Sequence, residues 1–361
     1  MFERMFANVG KMPEPISIQE YISRQNQLYS TFEPSDVLIL CSSPVTIHSN
    51  DVHHPYRTQS NLLYLTGWTE PESIMCATKA SGTWKTHLFV QPKDTLKEIW
   101  EGRRPGVEGA MENWPIDLAY PHGELSVKLS KMLENCSRVF VKMGVDSDVD
   151  ELIEKEMKTM SRAKQKLGTG PVSIVDPSSK INELRLRKSE AEIELMRHSA
   201  KVASQAHIQA MANTKPGVGE WQLEGIIEGF FKYCKTSGIA YPCIIGSGDN
   251  ATVLHYNVNN DTCDEGEILL IDAGCEYKGY ASDITRSWPV NGKFSEAQAE
   301  IYQVVLDSQL AAIDECRVGR PYDAPHEAAR RVLAEGLISL GLTNQSLEAV
   351  SYTHLTLPTK A

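Results

Sequence analysis

Apolar residues along the first half of the chain fall into short runs bounded by polar or turn residues. Asp36-Val37-Leu38-Ile39-Leu40, His87-Leu88-Phe89-Val90 and Arg138-Val139-Phe140-Val141 are the clearest, and each reads as a buried strand. Helical stretches alternate with them, which predicts an α/β domain. Punctuation residues cluster at Gly168-Thr169-Gly170-Pro171 and Asp176-Pro177-Ser178-Ser179, and beyond them the period lengthens to that of long helices.

The second half opens with Ser189-Glu190-Ala191-Glu192, an S-x-x-E capping box, with Ile193, Met196, Ala200 and Ala203 expected on one helical face. A helix is predicted from about Glu220 to Tyr233. Another starts at Ser295-Glu296-Ala297-Gln298, with Ile301, Val304, Val305 and Ala312 on its buried side. Residues 241–290 between them are β-rich. The pattern places the domain boundary near residues 172–182, with a first domain of 1–177 and a second from 178 onward.

At 361 residues the chain has room for about two domains. Its 36 Lys+Arg against 47 Asp+Glu, a net charge of -11, work against affinity for nucleic-acid phosphates or anionic membranes and suit a small or peptide substrate. Eight scattered cysteines without a C-x-x-C pair read as reduced thiols. Neither a signal peptide nor an apolar stretch of ~20 residues is evident, so a cytoplasmic protein is expected.

The segment Glu267-Ile268-Leu269-Leu270-Ile271-Asp272-Ala273-Gly274 is an apolar strand ending in a carboxylate. Tyr277-Lys278-Gly279 and a return strand to Thr285 follow, as in a hairpin. A two-residue loop at Tyr277-Lys278 sets Asp272 directly opposite Asp283, with Cβ atoms roughly 4.5–5.5 Å apart. Facing like charges destabilise a sheet unless a cation lies between them or one is protonated. Carboxylate oxygens suit hard or borderline ions such as Mn²⁺, and two such ions could serve hydrolysis of a peptide bond. A three-residue loop with a bulge would instead put the aspartates on opposite faces. On spacing alone, a solvated hairpin is the simpler reading.

Tyr241-Pro242, Ile245-Gly246-Ser247-Gly248-Asp249-Asn250, Leu254-His255-Tyr256, Ile271 to Arg286 and Pro289-Val290-Asn291-Gly292-Lys293-Phe294 together resemble the catalytic core of Xaa-Pro aminopeptidases. Pro55 to Gly67 and Glu98-Ile99-Trp100-Glu101-Gly102-Arg103-Arg104 resemble that family's accessory domain, which methionine aminopeptidases lack. The resemblance implies an α/β N-terminal domain followed by an α+β pita-bread catalytic domain. The implied activity is a two-metal aminopeptidase, with manganese expected, acting on peptides with proline second.

By the same resemblance Asp272 is a ligand of one metal and Asp283 a bridging carboxylate. His255 binds substrate and steadies the reacting carbonyl. Trp100 reaches a neighbouring subunit's site in a homo-oligomer, or else is a surface anchor. The match runs from about 35 to 348. It implies that three further metal ligands, a histidine and two glutamates, lie beyond position 361, and that this chain as written has little activity. Residues 350–361 have no counterpart and read as a non-native tail beyond a second domain of 178–349, which makes His354 a poor ligand candidate. A prolidase acting on dipeptides and a non-catalytic pita-bread binding protein are the rival readings.

Three other motifs lead elsewhere. His326-Glu327-Ala328-Ala329-Arg330 lacks the second histidine of HExxH, Gly246-Ser247-Gly248 lacks the lysine of a phosphate loop, and no G-x-S-x-G elbow occurs. His53-His54 is expected in a polar loop.

Overall fold

The computed structural model describes residues 8–134, 136–167, 170–171 and 173–353. The chain packs as two compact units. One contains Lys11–His198 and Tyr277–Tyr280; the other contains Ser199–Glu276 and the chain from Ala281 onward, with a short stretch ending at Gly10. The division falls inside the helix Glu190–Asn213, later than the change of pattern near 177. The physical reason is that Ile181 and Leu195 bury their side chains among residues of the N-terminal unit.

The N-terminal unit is built on a six-stranded sheet. Its strands are β1 (Asp36–Cys41), β4 (Ile74–Ala80), β5 (Thr83–Val90), β6 (Leu118–Pro121), β7 (Arg138–Phe140) and β8 (Ser173–Val175), in the order β6-β5-β4-β1-β7-β8. β1 is parallel to β7 and antiparallel to β4. All six residues of β1 are buried, because both faces of the sheet are covered; this is why it reads as an unbroken apolar run. Leu38 and Leu40 face one core with Leu62, Leu65 and Ile181, while Val37, Ile39 and Cys41 face another with Leu125, Leu129 and Ile153. His53, expected in a loop, belongs to a short hairpin of β2 (Ile47–Ser49) and β3 (Val52–His53).

In the other unit β10 (Ile244–Ser247), β11 (Ile268–Ala273) and β14 (Ile284–Pro289) form an antiparallel sheet. A second small sheet joins β9 (Gly238–Ile239), β12 (Cys275–Tyr277) and β13 (Tyr280–Ala281). Burial alternates along β11: Leu269, Ile271 and Ala273 pack with Ala206, Ile227 and Phe230 of the helices Glu190–Asn213 and Glu220–Tyr233. Asp272 therefore faces away from that core.

The capping boxes are formed. Ser189 and Glu192 exchange backbone-to-side-chain bonds of 2.8 and 3.2 Å, and Ser295 and Gln298 do the same at 2.9 and 3.3 Å. Two helical faces differ from expectation. In Glu190–Asn213 the buried positions are Glu192, Leu195, His198, Ser199, Val202, Ala203, Ala206, His207 and Ala210, whereas Met196 and Ala200 are exposed. In Glu296–Glu315, Ile301 and Val305 are exposed, because this helix packs against Ala324–Ser339 by one narrow side, where Val304 meets Gly336. The HExxH-like run lies on Ala324–Ser339, where Arg330 pairs with Glu327 along one helical face. Val350, assigned to the tail, is buried in the helix Leu347–Thr353, and His354 lies outside the described residues.

Candidate active site

The expected facing of the two aspartates is corrected. Asp272 stands between Ile244 on β10 and Thr285 on β14, so its direct partner is Thr285 and not Asp283. The turn residues are Lys278 and Gly279, both with positive φ (+50° and +88°), as a type I′ turn requires. The loop thus sits one residue further along than the sequence suggests, and the register moves with it. Asp283 falls in the break between β13 and β14, diagonal to Asp272.

The two carboxylates nonetheless converge. Tyr241 Oη lies 2.6 Å from Asp272 Oδ1 and 3.0 Å from Asp283 Oδ1. Tyr241 is placed there by the backbone, since Ala240 N donates to Gly274 O at 2.9 Å. Gly274 permits the crowding: a Cβ there would stand 1.8 Å from Ser282 O and 3.1 Å from the Tyr241 ring.

A phenol has one proton, so it can donate to one of these oxygens at a time, and the second O···O contact needs another positive partner. Burial first, and then the two carboxylates it touches, push the Tyr241 hydroxyl above the ordinary phenol range, so the group keeps that proton. The donor set fits hard divalent cations: two carboxylates that meet at one hydroxyl, with Asp272 turned from the apolar core.

Tyr241, Pro242, Ile244, His255, Asn257, Asp272 and Asp283 line a cavity of about 350 Å³. The structure thereby brings His255, Asp272 and Asp283 together. His255 is exposed on an irregular segment after the 3₁₀ turn Gly248–Thr252. Gly248 opens that turn with φ +56°, while Gly246 and Ser247 belong to β10. Among the described residues no group of three or more His, Cys, Asp or Glu could hold a metal ion.

Trp100 belongs to the other unit, on the helix Thr95–Glu101, where it is 89% exposed beside Leu96 and Ile99. Sequence reasoning overlooked Tyr241 as a site residue, although it stands in the motif run; its role depends on a hydroxyl meeting residues 31 and 42 positions away.

Residues 21–140 match the aminopeptidase P N-terminal domain, and residues 194–357 match metallopeptidase family M24. The chain is 34% identical over 328 residues to the Xaa-Pro aminopeptidase of Escherichia coli (strain K12), spanning 91% of this chain and 74% of that protein. To the Xaa-Pro aminopeptidase of Haemophilus influenzae it is 32% identical, spanning 95% and 76%.

Among solved structures, an aminopeptidase of Pseudomonas aeruginosa superposes with a TM-score of 0.89 at 36% identity, over 94% of this chain and 77% of that one. Zinc-substituted E. coli aminopeptidase P in complex with product gives a TM-score of 0.89 at 33% identity, over 93% and 77%. With the accessory domain, the pita-bread catalytic domain and these relatives in agreement, the chain belongs to the Xaa-Pro aminopeptidases of metallopeptidase family M24.

Proposed function

We propose that this protein releases the N-terminal residue from peptides with proline in second position, with Asp272 and Asp283 holding divalent metal ions, manganese by preference, and His255 contacting the substrate. The observation that carries this reading is the convergence of both carboxylates on Tyr241 Oη, in a cavity also lined by His255. When bound, divalent cations supply positive charge that offsets the aspartates and polarises a peptide carbonyl and water.

The protein's own groups do the rest. Asp272 is held by its neighbours on both sides in the sheet, so its position is stiff. Tyr241 retains its proton and donates it to one of the two carboxylates at a time, Asp272 Oδ1 lying at 2.6 Å and Asp283 Oδ1 at 3.0 Å. His255, at the open side of the cavity, has a ring N–H that can donate to the oxygen of the reacting carbonyl as charge develops there. Two carboxylates are fewer oxygen donors than a firm divalent site uses, so the described residues by themselves should hold metal weakly.

The exposed Leu96, Ile99 and Trp100 supply an apolar patch suited to a second copy, consistent with a homo-oligomer. Charge and the lack of any described helix long and apolar enough to cross a membrane fit a cytoplasmic peptidase.

The test is metal analysis together with peptide hydrolysis by the purified protein. Asp272→Asn and Asp283→Asn should each lower bound manganese and cut hydrolysis of an Xaa-Pro-Yaa tripeptide by more than about 100-fold. Unchanged metal content and turnover in both variants would sink the assignment. Cleavage of Xaa-Pro dipeptides with tripeptides spared would favour a prolidase.

A further inference from the structure

Glu220 is fully buried at the first position of the helix Glu220–Tyr233, yet it takes no part in the cavity. Every group its carboxylate touches is a donor. Oε1 accepts from Ser247 N at 2.9 Å and Asn250 Nδ2 at 3.2 Å; Oε2 accepts from Tyr256 Oη at 2.8 Å and Asp261 N at 3.0 Å. A carboxylate has about four acceptor positions, so all are filled by protein. That excludes Glu220 as a metal ligand or proton shuttle and leaves the question of what the arrangement holds.

It holds one segment. Ser247 ends β10 and Asp261 lies beyond the irregular stretch, so the carboxylate clamps both ends of residues 248–260. Its third bond goes to Tyr256, the residue after His255, and its fourth to Asn250, which also donates to Tyr256 Oη at 3.1 Å. Glu220 N adds a backbone bond of 2.9 Å to Asp261 O. A second clamp lies nearby: Asn259, buried with φ +49°, accepts from Ile245 N at 3.0 Å and donates to Cys243 O at 2.8 Å.

His255 itself is exposed, so its place depends on these neighbours. We propose that Glu220 is a positioning residue, which fixes His255 at the rim of the cavity through Tyr256 and the clamped ends of the 248–260 segment. This rests on the reading of His255 given under Proposed function. An isosteric amide cannot replace the carboxylate, because its NH₂ would face two donors.

The experiment uses the full-length protein and a double-mutant cycle. Tyr256→Phe removes one hydroxyl and leaves the backbone clamps in place. It should lower kcat/KM for an Xaa-Pro-Yaa tripeptide by about tenfold, and Glu220→Gln by at least as much. In a His255→Ala background the Tyr256→Phe change should cost less than about twofold, since a residue acting through His255 has nothing left to position. Amide exchange in the metal-free protein should speed up at residues 253–257 in Tyr256→Phe while 269–271 in β11 stay protected.

An equal loss in both backgrounds would show a general structural role and overturn the proposal, as would unaltered exchange at 253–257. Full activity of His255→Ala would instead overturn the role given to His255. The exchange measurement separates the two failures, because it does not depend on catalysis.

Discussion

Tyr241 and Asp272 are joined by a 2.6 Å hydrogen bond that also brings the phenol within 3.0 Å of Asp283. One proton therefore serves two carboxylates whose mutual repulsion the fold itself imposes.

Removal of that proton should expose the repulsion. Tyr241→Phe is expected to lower the stability of the metal-free protein by about 1–2 kcal/mol. Added Mn²⁺ should then raise Tm more in the variant than in the parent, because the cation does what the phenol did. Thermal melts with and without Mn²⁺ check this, and an identical metal response in both proteins would count against a shared cation site.

His87 gives the N-terminal unit an acid-sensitive point. Its Nε2 lies 3.0 Å from Thr78 Oγ1, its Nδ1 is buried without a partner, and its ring stacks on Tyr120 at 6.0 Å. Burial, the dominant cause, lowers its pKa from 6.5 to about 4. The unfolded chain thus takes up the proton first as pH falls. The stabilising effect of a neutral His87 is complete above pH 6.5 and is lost progressively toward pH 4, on the order of 3 kcal/mol in all. Urea unfolding at pH 7 and pH 4.5 should show a smaller acid loss in His87→Phe than in the parent. Equal losses would show that His87 does not titrate as argued.

Gly274→Ala should be among the most damaging single changes. The added methyl carbon would stand 1.8 Å from Ser282 O, which is backbone and cannot swing aside. Since Ser282 N and Cys275 O are bonded at 2.9 Å, relief requires breaking the hairpin that carries Asp283. A loss of more than about 3 kcal/mol is expected, read as a large fall in Tm or in soluble yield. A melt within a degree or two of the parent would contradict the geometry.

Trp100→Ala tests the apolar patch. At 89% exposure the side chain contributes little to the fold, so stability should change by less than about 0.5 kcal/mol. Light scattering should nonetheless show a shift toward smaller assemblies, with kcat/KM falling in parallel. The same mass and the same kinetics would leave Trp100 a surface residue.

The linear chain carried a good deal of this. Buried strands announce themselves as apolar runs when both faces are covered, so β1, β5 and β7 were legible, and S-x-x-E and S-x-x-Q mark helix starts because capping is local. Asp272, Asp283 and His255 stood out because the residues around them form a long specific motif. What the tertiary structure decided is pairing at a distance. The positive φ at Lys278 and Gly279, and the close approach of Gly274 to Ser282, set the register that puts Thr285 opposite Asp272. The meeting of Tyr241 with both aspartates, the clamp of Glu220 on the 248–260 segment and the exposed side of Glu296–Glu315 have the same origin. Each depends on groups far apart in sequence that meet only after the sheet has closed, and no periodicity of apolar residues encodes such a meeting.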